Sequence, residues 1–313
     1  MIIEAKDLRK AYGDNEAVKG ATFSIPECET VGLLGPNGAG KTTTINMMLG
    51  LIKPTSGSVT VFEQDAAKLS DENKRKIGYV PQDMAFFPEL SGVANVTYWG
   101  RLYGLRGKEL QTAVREALEF TQLWDRRKDA AKGYSGGMQR RLNISCGIVH
   151  KPKVLLMDEP TVGVDPQSRN HILESARQLA NMGSTIIYTS HYMEEIQALC
   201  DRVVIIDEGQ VVADGGLKEV VAENAPNPAV VLEFAHEFDT DDAQAKLVSA
   251  GLLSDGEFAV QGSEILVRRS ESFSFSSFAQ KVLAQGVELT SIREDRPTLE
   301  TVFLNLTGKT LRD

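Results

Sequence analysis

Gly35-Pro36-Asn37-Gly38-Ala39-Gly40-Lys41-Thr42-Thr43 decides how the rest of the chain is read. It follows an apolar run, Val31-Gly32-Leu33-Leu34, and leads into Thr44-Ile45-Asn46-Met47-Met48-Leu49, which is compatible with a helix. The order is strand, glycine loop, helix. Glycines at 35 and 40 followed by Lys41 and Thr42 have the spacing of a phosphate-binding loop. The glycines allow backbone conformations closed to other residues, so successive amide N–H groups can converge on phosphate oxygens. The start of the helix adds the positive end of its dipole. In that geometry Lys41 reaches the β- and γ-phosphates and the Thr42 hydroxyl binds Mg²⁺, with Thr43 a spare hydroxyl. A plain glycine turn is the bland alternative, and the strand before and helix after weigh against it.

The 313 residues suggest two domains of unequal size. With 42% apolar and 25% charged residues the composition is that of a soluble globular chain. No apolar run approaches the length that spans a bilayer. Met1-Ile2-Ile3-Glu4 lacks the basic start and apolar core of a secretion signal. Cys28, Cys146 and Cys200 have neither metal nor redox spacing and read as buried thiols of a reducing cytosol. Residues from Glu223 onward carry 15 acidic and 8 basic side chains, so −7 of the net −9 sits there. An acidic tail argues against nucleic acid or anionic lipid as a direct partner.

Upstream of the loop, residues 2–10 and 18–25 read as strands on either side of Tyr12-Gly13-Asp14. Tyr12 is either a turn tyrosine or an aromatic platform for a base. Downstream, 58–62 and Ile77 to Val80 are strands, and Pro81-Gln82-Asp83 ends the second. Gln82 sits at a strand tip, where an amide can bind Mg²⁺, hold a water, or be an ordinary loop residue. Residues 84–150 are helical in tone: Ser91 suits a cap, and Leu110, Val114 and Leu118 share one face of a helix over 109–120. Phe86 and Phe87 lie in a polar-bounded loop that is hard-pressed to bury them locally. They pack elsewhere or line a docking groove for a partner.

Gly133-Tyr134-Ser135-Gly136-Gly137-Met138-Gln139-Arg140-Arg141 is a second glycine-rich turn, opening a helix that Pro152 ends. Ser135 caps it, and Gly136 and Gly137 bare its first amides, so it is a second anion-binding terminus or simply a capped helix. One nucleotide rarely needs two phosphate sites on one polypeptide. A dimer does, if each subunit closes the other's site. Val154-Leu155-Leu156-Met157 is apolar without alternation, as in a central parallel strand. Asp158 and Glu159 follow at its C-terminal end, where α/β sheets bind ligands. Asp158 suits a role on Mg²⁺ or its waters, and Glu159 that of general base. Asp165 and Pro166 start a helix running to Met182. Thr185 to Thr189 is another buried strand, leading to Ser190-His191; His191 is a hydrogen-bonded strand-tip residue or faces the same crevice. Residues 203–206 and 211–213 form a hairpin around 207–210.

In this order the motifs resemble the ATP-binding subunits of ABC transporters: GPNGAGKTT (35–43), YVPQD (79–83), YSGGMQRR (134–141), VLLMDEP (154–160), GVDP (163–166) and TSH (189–191). The resemblance covers roughly residues 1–222. It implies an α/β P-loop NTPase cassette with a mixed-sheet core, an antiparallel β subdomain and a helical subdomain. It implies that Tyr12 stacks on adenine, that Lys41 and the amides of 35–43 hold the phosphates of ATP, and that Thr42 and Gln82 approach Mg²⁺. Asp158 supports the metal through water, Glu159 is the base, and His191 contacts the γ-phosphate and positions the water. Ser135, Gly136 and Gly137 act in trans, on ATP held by the other subunit of a homodimer, and Asp165 couples the two sites. The family's prevalent signature is LSGGQ, and here Tyr134 and Met138 replace its leucine and glutamine. That departure resembles the exporter branch with separately encoded membrane subunits, the ABC-2 type. It implies a separate permease and a place on the inner face of the membrane.

Past Asn224-Ala225-Pro226-Asn227-Pro228, a linker by composition, residues 229–313 read as a small α+β domain. Strands are expected at 230–234, 257–260, 264–268 and 287–292 and helices at 241–250 and 275–283, an alternation suggesting a ferredoxin-like fold. In RPTLETVFLNLTG (296–308), Leu299, Val302, Phe303 and Leu306 form one apolar stripe ending at Gly308. This run resembles the C-terminal sequence of drug, lipid and sodium-type exporter ATPases. It packs onto its own domain or forms a subunit contact. Two rival readings are a non-transport ATPase working on ribosomes or DNA repair, and an ATP clamp without turnover. One cassette and an acidic tail weigh against the first, and Glu159 with His191 against the second.

Overall fold

The computed structural model describes residues 1–190, 192–224, 229–254, 258–268, 273–295 and 298–308. The chain divides into two compact units, Met1–Val220 with Thr307–Asp313, and Val221–Leu306. His191, residues 225–228 of the linker, Glu257 and the Arg296-Pro297 start of the C-terminal run lie outside the described residues.

The first unit begins with β1 (Ile3–Tyr12) and β2 (Asn15–Ile25), paired antiparallel around Gly13-Asp14. Ile3, Ala5 and Leu8 face inward against Val18, Ala21, Phe23 and Ile25. The period-2 pattern slips between Ala5 and Leu8 because the ladder shifts register there, with Asp7 at φ 44°. After β3 (Thr30–Leu34) and α1 (Lys41–Met48), β4 (Ser56–Val61) and β5 (Gln64–Asp65) complete an antiparallel sheet of order β2-β1-β4-β5. A short α2 (Asp71–Lys74) leads to β6 (Ile77–Val80), and α3 (Gly92–Leu102), α4 (Gly107–Phe120) and α5 (Gly136–Ile148) make the helical block. The Ser91 and Ser135 hydroxyls accept from the amides of Ala94 and Met138, so both caps form as their sequence suggests. Then come β7 (Val154–Met157), α6 (Pro166–Asn181), β8 (Thr185–Thr189), α7 (Met193–Leu199), β9 (Arg202–Asp207), β10 (Gln210–Gly216) and α8 (Leu217–Asn224).

A six-stranded sheet runs β10-β9-β3-β8-β7-β6. Strands β9, β3, β8, β7 and β6 are parallel, and β10 adds an antiparallel edge. Every residue of β3, β7 and β8 is buried, as parallel strands covered on both faces require. Because these strands are adjacent and parallel, their C-terminal ends emerge side by side. The glycine loop, the two carboxylates and Thr189 therefore meet on one edge of the sheet, with Gln82 after β6. One apolar core joins the two sheets: Leu8, Phe23 and Val59 share it with Leu33, Leu156, Ile187, Val204 and Met47 of α1.

The second unit runs β11 (Ala229–Glu233), α9 (Glu237–Ser249), β12 (Phe258–Gln261), β13 (Glu264–Arg268), α10 (Phe275–Ala284), β14 (Ser291–Asp295) and α11 (Leu299–Thr307). Its sheet is antiparallel throughout, in the order β12-β13-β11-β14, which is the ferredoxin-like split arrangement. Val230, Leu232, Ile265 and Val267 pack with Leu247, Phe278 and Val282. The last strand starts at Ser291, four residues later than the apolar pattern of 287–292 suggests. Residues 287–290 are instead irregular, and the Thr290 amide reaches the Glu233 carbonyl to set the register. On α11, Leu299, Val302 and Phe303 are buried within the chain, so three of the four stripe residues are already covered, while Leu306 is half-buried and Leu304 is left exposed. Cys146 and Cys200 are buried as expected, whereas Cys28 is exposed. No helix among the described residues is long and apolar enough to cross a membrane.

Candidate active site

The loop between β3 and α1 is shaped by its glycines. Gly38 and Gly40 have φ of 79° and 101°, in the left-handed region that side chains resist. Gly40 is the N-cap of α1, and no side chain caps the helix. Gly35 is needed for a different reason: a Cβ there would lie 2.2 Å from the Ile206 carbonyl oxygen. Lys41 is buried, and its ammonium donates to the carbonyls of Gly35 and Pro36 at 2.6 and 3.0 Å. Burial lowers its pKa, and the nearby Glu159 and Asp158 carboxylates oppose that shift. A cavity of about 440 Å³ opens over the loop, lined by Tyr12, Asn15, Ala17, Asn37, Gly38, Ala39, Gly40, Lys41, Thr42, Thr43, Gln82 and Glu159. Residues from four distant stretches thus gather at one place. Tyr12 is 51% exposed at the end of β1, so its ring is open to a partner on one side, with the Lys10 ammonium 5.2 Å from its centroid. Ser135, Gly136, Gly137 and Asp165 are not among the lining residues.

Asp158 and Glu159 leave β7 as buried side chains, 5% and 7% exposed, rather than as a solvated acidic turn. Thr189, at the end of β8, holds both: its hydroxyl donates to Asp158 Oδ1 at 2.7 Å and accepts from the Glu159 amide at 2.8 Å. Glu159 itself has φ 47°, an uncommon conformation for a residue with a side chain. Thr189 stands in the quoted TSH run, which carries no sign of this role. A β-branched residue in an apolar run signals strand, and nothing local says that its hydroxyl faces a neighbouring strand's carboxylate.

The second glycine turn lies on α5 and is tied to its surroundings by Arg140, part of the quoted stretch but given no role there, and by Asn143, which carried no signal in the sequence. Arg140 is buried, and its guanidinium donates to the Gln82 carbonyl at 2.6 Å and the Val162 carbonyl at 3.3 Å. Asn143 donates to the Pro81 carbonyl and accepts from the Ala85 amide. The loop carrying Gln82 is therefore anchored on the helix that Ser135 opens. The two glycines differ. Gly136 is exposed, with nothing near the place of a Cβ, whereas Gly137 packs on α6, where a Cβ would lie 2.0 Å from Ser168 Oγ. Asp165 caps α6, accepting from the Ser168 amide and hydroxyl at 2.9 and 2.7 Å, and these bonds hold its carboxyl below the usual range. Tyr134 is a packing residue: it is buried, and its hydroxyl donates to the Arg126 carbonyl at 2.7 Å.

The expectation that Phe86 and Phe87 both resist burial holds for one of them. Asn95 clamps Phe87 by its backbone at both ends, and Trp99 Nε1 donates to the Ala85 carbonyl. This fold of the loop buries Phe86 and leaves Phe87 44% exposed, edge-on to Tyr98 at 4.9 Å.

Comparison with known proteins gives the same picture from another side. A family model described as ABC transporter matches residues 18–162. A linearmycin resistance ATP-binding protein of Bacillus subtilis is 42% identical over 316 residues, covering 100% of both chains. A Nod factor export ATP-binding protein of Sinorhizobium fredii is 34% identical over 313 residues, covering 99% of this chain and 87% of its own. Among solved structures, a dimeric post-hydrolysis state of an ATP-binding cassette bound to ADP and Pi superposes with a TM-score of 0.63 at 27% identity, covering 69% of this chain and 98% of its own.

Proposed function

The chain belongs to the ABC transporter ATPase family, and on that premise we propose that it is the ATP-hydrolysing subunit of an ABC-2 type exporter. The observation that carries the exporter reading is its 34% identity over 313 residues with a Nod factor export ATP-binding protein, beside 42% identity over the whole of both chains with a linearmycin resistance ATP-binding protein. The permease would be a separate chain and the ATPase would work at the inner face of the membrane, as the resemblance to the ABC-2 branch implies. Residues 1–222 would be the cassette and 229–313 an accessory domain.

The cradle of loop amides, the buried Lys41 and the open Tyr12 face suit a nucleoside triphosphate. Tyr12 would stack on adenine, and the backbone of 35–43 with Lys41 would hold the phosphates. Among the described residues no three His, Cys, Asp or Glu side chains gather into a metal site. Thr42, Gln82 and, through water, Asp158 would hold Mg²⁺ together with phosphate oxygens. When bound, the ion supplies charge neutralisation on the phosphates. Glu159 faces the cavity and would take the proton of the attacking water, with Thr189 fixing the backbone behind it. His191 would contact the γ-phosphate.

Ser135, Gly136 and Gly137 would close the site of a second copy in trans. Their absence from the lining of this chain's own cavity supports that reading, as does the dimeric, product-bound relative. Asp165, capping α6 beside Gly137, would pass the state of one site to the other. The exposed pair Phe87 and Tyr98 would meet a cytoplasmic segment of the permease. Glu159→Gln tests the chemistry and the pairing together. Turnover should fall about 10²–10⁴-fold, and the variant should dimerise with Mg²⁺ and ATP. Unchanged turnover would refute the assignment of the base. A variant that binds ATP yet stays monomeric at high concentration, even beside its permease, would refute closure in trans.

A further inference from the structure

Glu195, on α7, does not line the nucleotide cavity and has no part in the mechanism above. It is nonetheless 2% exposed, and three hydroxyls donate to one of its carboxylate oxygens, Oε2: Thr161 at 2.9 Å, Tyr188 at 3.0 Å and Ser190 at 2.6 Å. Its other oxygen faces Arg169 Nε at 3.4 Å, and the Arg169 guanidinium lies over the Tyr192 ring. A buried carboxylate with this many donors is expensive to build unless it fixes something.

What it fixes follows from where the donors come from. Thr161 is fully buried, two residues past Glu159, and Ser190 directly follows β8, the strand whose Thr189 holds Asp158 and the Glu159 amide. Glu159 sits at φ 47°, and such conformations persist only where the surroundings over-determine them. The loop's own backbone bonds do little of this. Val162 N–H to the Glu159 carbonyl is 3.3 Å, and Val164 N–H to the Thr161 carbonyl is 3.4 Å. The loop is therefore held by side chains, by Thr189 at Glu159, by the Thr161–Glu195 bond, and by Arg140 on the Val162 carbonyl.

We propose that Glu195 is a positioning residue for hydrolysis: by accepting from Thr161 and Ser190 at once, it locks the loop carrying Glu159 to the end of β8. This rests on Glu159 being the general base. A misplaced base costs rate rather than nucleotide affinity. Glu195→Ala in the full chain should lower kcat by about 10- to 100-fold, while the KM for ATP and the binding of a fluorescent ATP analogue change less than about threefold. Glu195→Gln keeps an acceptor oxygen for the hydroxyls and should recover at least a third of wild-type kcat. Thr161→Val removes one hydroxyl at constant shape and should lower kcat in the same way. Combined with Glu195→Gln it should lower kcat no further than Thr161→Val alone.

Both near-isosteric variants keep the test open if Glu195→Ala does not fold. A folded Glu195→Ala or Thr161→Val with kcat within twofold of wild type overturns the proposal, as does loss of ATP binding in step with kcat. Glu159→Gln separates this from the reading beneath it. If that variant turns over normally, the general-base assignment fails; if it is inactive while Thr161→Val is not, only the role of Glu195 fails.

Discussion

Gly137→Ala separates packing from phosphate contact in the second glycine turn. A Cβ at 137 would lie 2.0 Å from Ser168 Oγ and 2.7 Å from Ser168 Cβ, with Asp165 Oδ2 at 3.2 Å. The Ser168 hydroxyl can swing away, but its Cβ moves only with the backbone of α6. Restoring an ordinary contact from 2.7 to 3.4 Å parts the starts of α5 and α6 by about 0.7 Å. Overpacking of this kind costs about 1–3 kcal/mol, of which the better helix propensity of alanine returns about 1 kcal/mol. For a unit of this size the net of about 0–2 kcal/mol should lower Tm by up to about 8 °C, and the overpacking itself should set the variant about 2–12 °C below Gly136→Ala. Gly136→Ala meets no atom within 4 Å, so its Tm should hold or rise slightly. If both turn amides serve ATP on a second copy, both variants lose turnover, and only the first loses stability. Scanning calorimetry of the purified chain, run beside an ATPase assay, reads both. Equal Tm values for Gly137→Ala and Gly136→Ala would refute the packing argument.

Two further outcomes are expected. Phe87→Glu with Tyr98→Glu alters only exposed faces and should leave Tm within about 1 °C and basal ATPase within about twofold, while co-purification with the permease is lost; intact assembly and coupled transport would end the docking assignment. His150 is stacked on Tyr103 at 3.5 Å, bonded to the Ile77 carbonyl, and pushed by burial down to about 4. Unfolded, the same ring titrates near 6.5, so between about 6.5 and 4 the unfolded chain binds a proton that the folded chain does not, and stability falls as pH drops through that window, by roughly 3 kcal/mol at most. His150→Phe keeps a stacked ring with nothing to protonate and should flatten the acid limb of a urea-unfolding series between pH 6.5 and 4.5; parallel limbs would count against this account.

The stretches that line the candidate site stand out in the sequence alone. Gly35 to Thr43 announce themselves because a phosphate cradle needs glycine and lysine at fixed spacing along one strand–loop–helix. Asp158 and Glu159 are legible because acids after a wholly apolar strand have few other reasons to be there. The α+β alternation of the tail follows from local periodicity, but two boundaries slipped by four residues: α9 starts at Glu237 rather than 241, and the last strand at Ser291 rather than 287, since Val287 and Leu289 are apolar without being paired. What the tertiary structure alone decided is which of these groups are held, and by what. Thr189, Arg140, Asn143 and Glu195 reach across 31, 58, 62 and 34 positions to carboxylate, carbonyl and hydroxyl partners, and hydroxyls and amides carry no signature of a partner that far along the chain. Phe86 and Phe87 are identical by sequence, and Gly136 and Gly137 equally so. Packing, which depends on what arrives from elsewhere, buried one of each pair and left the other outside.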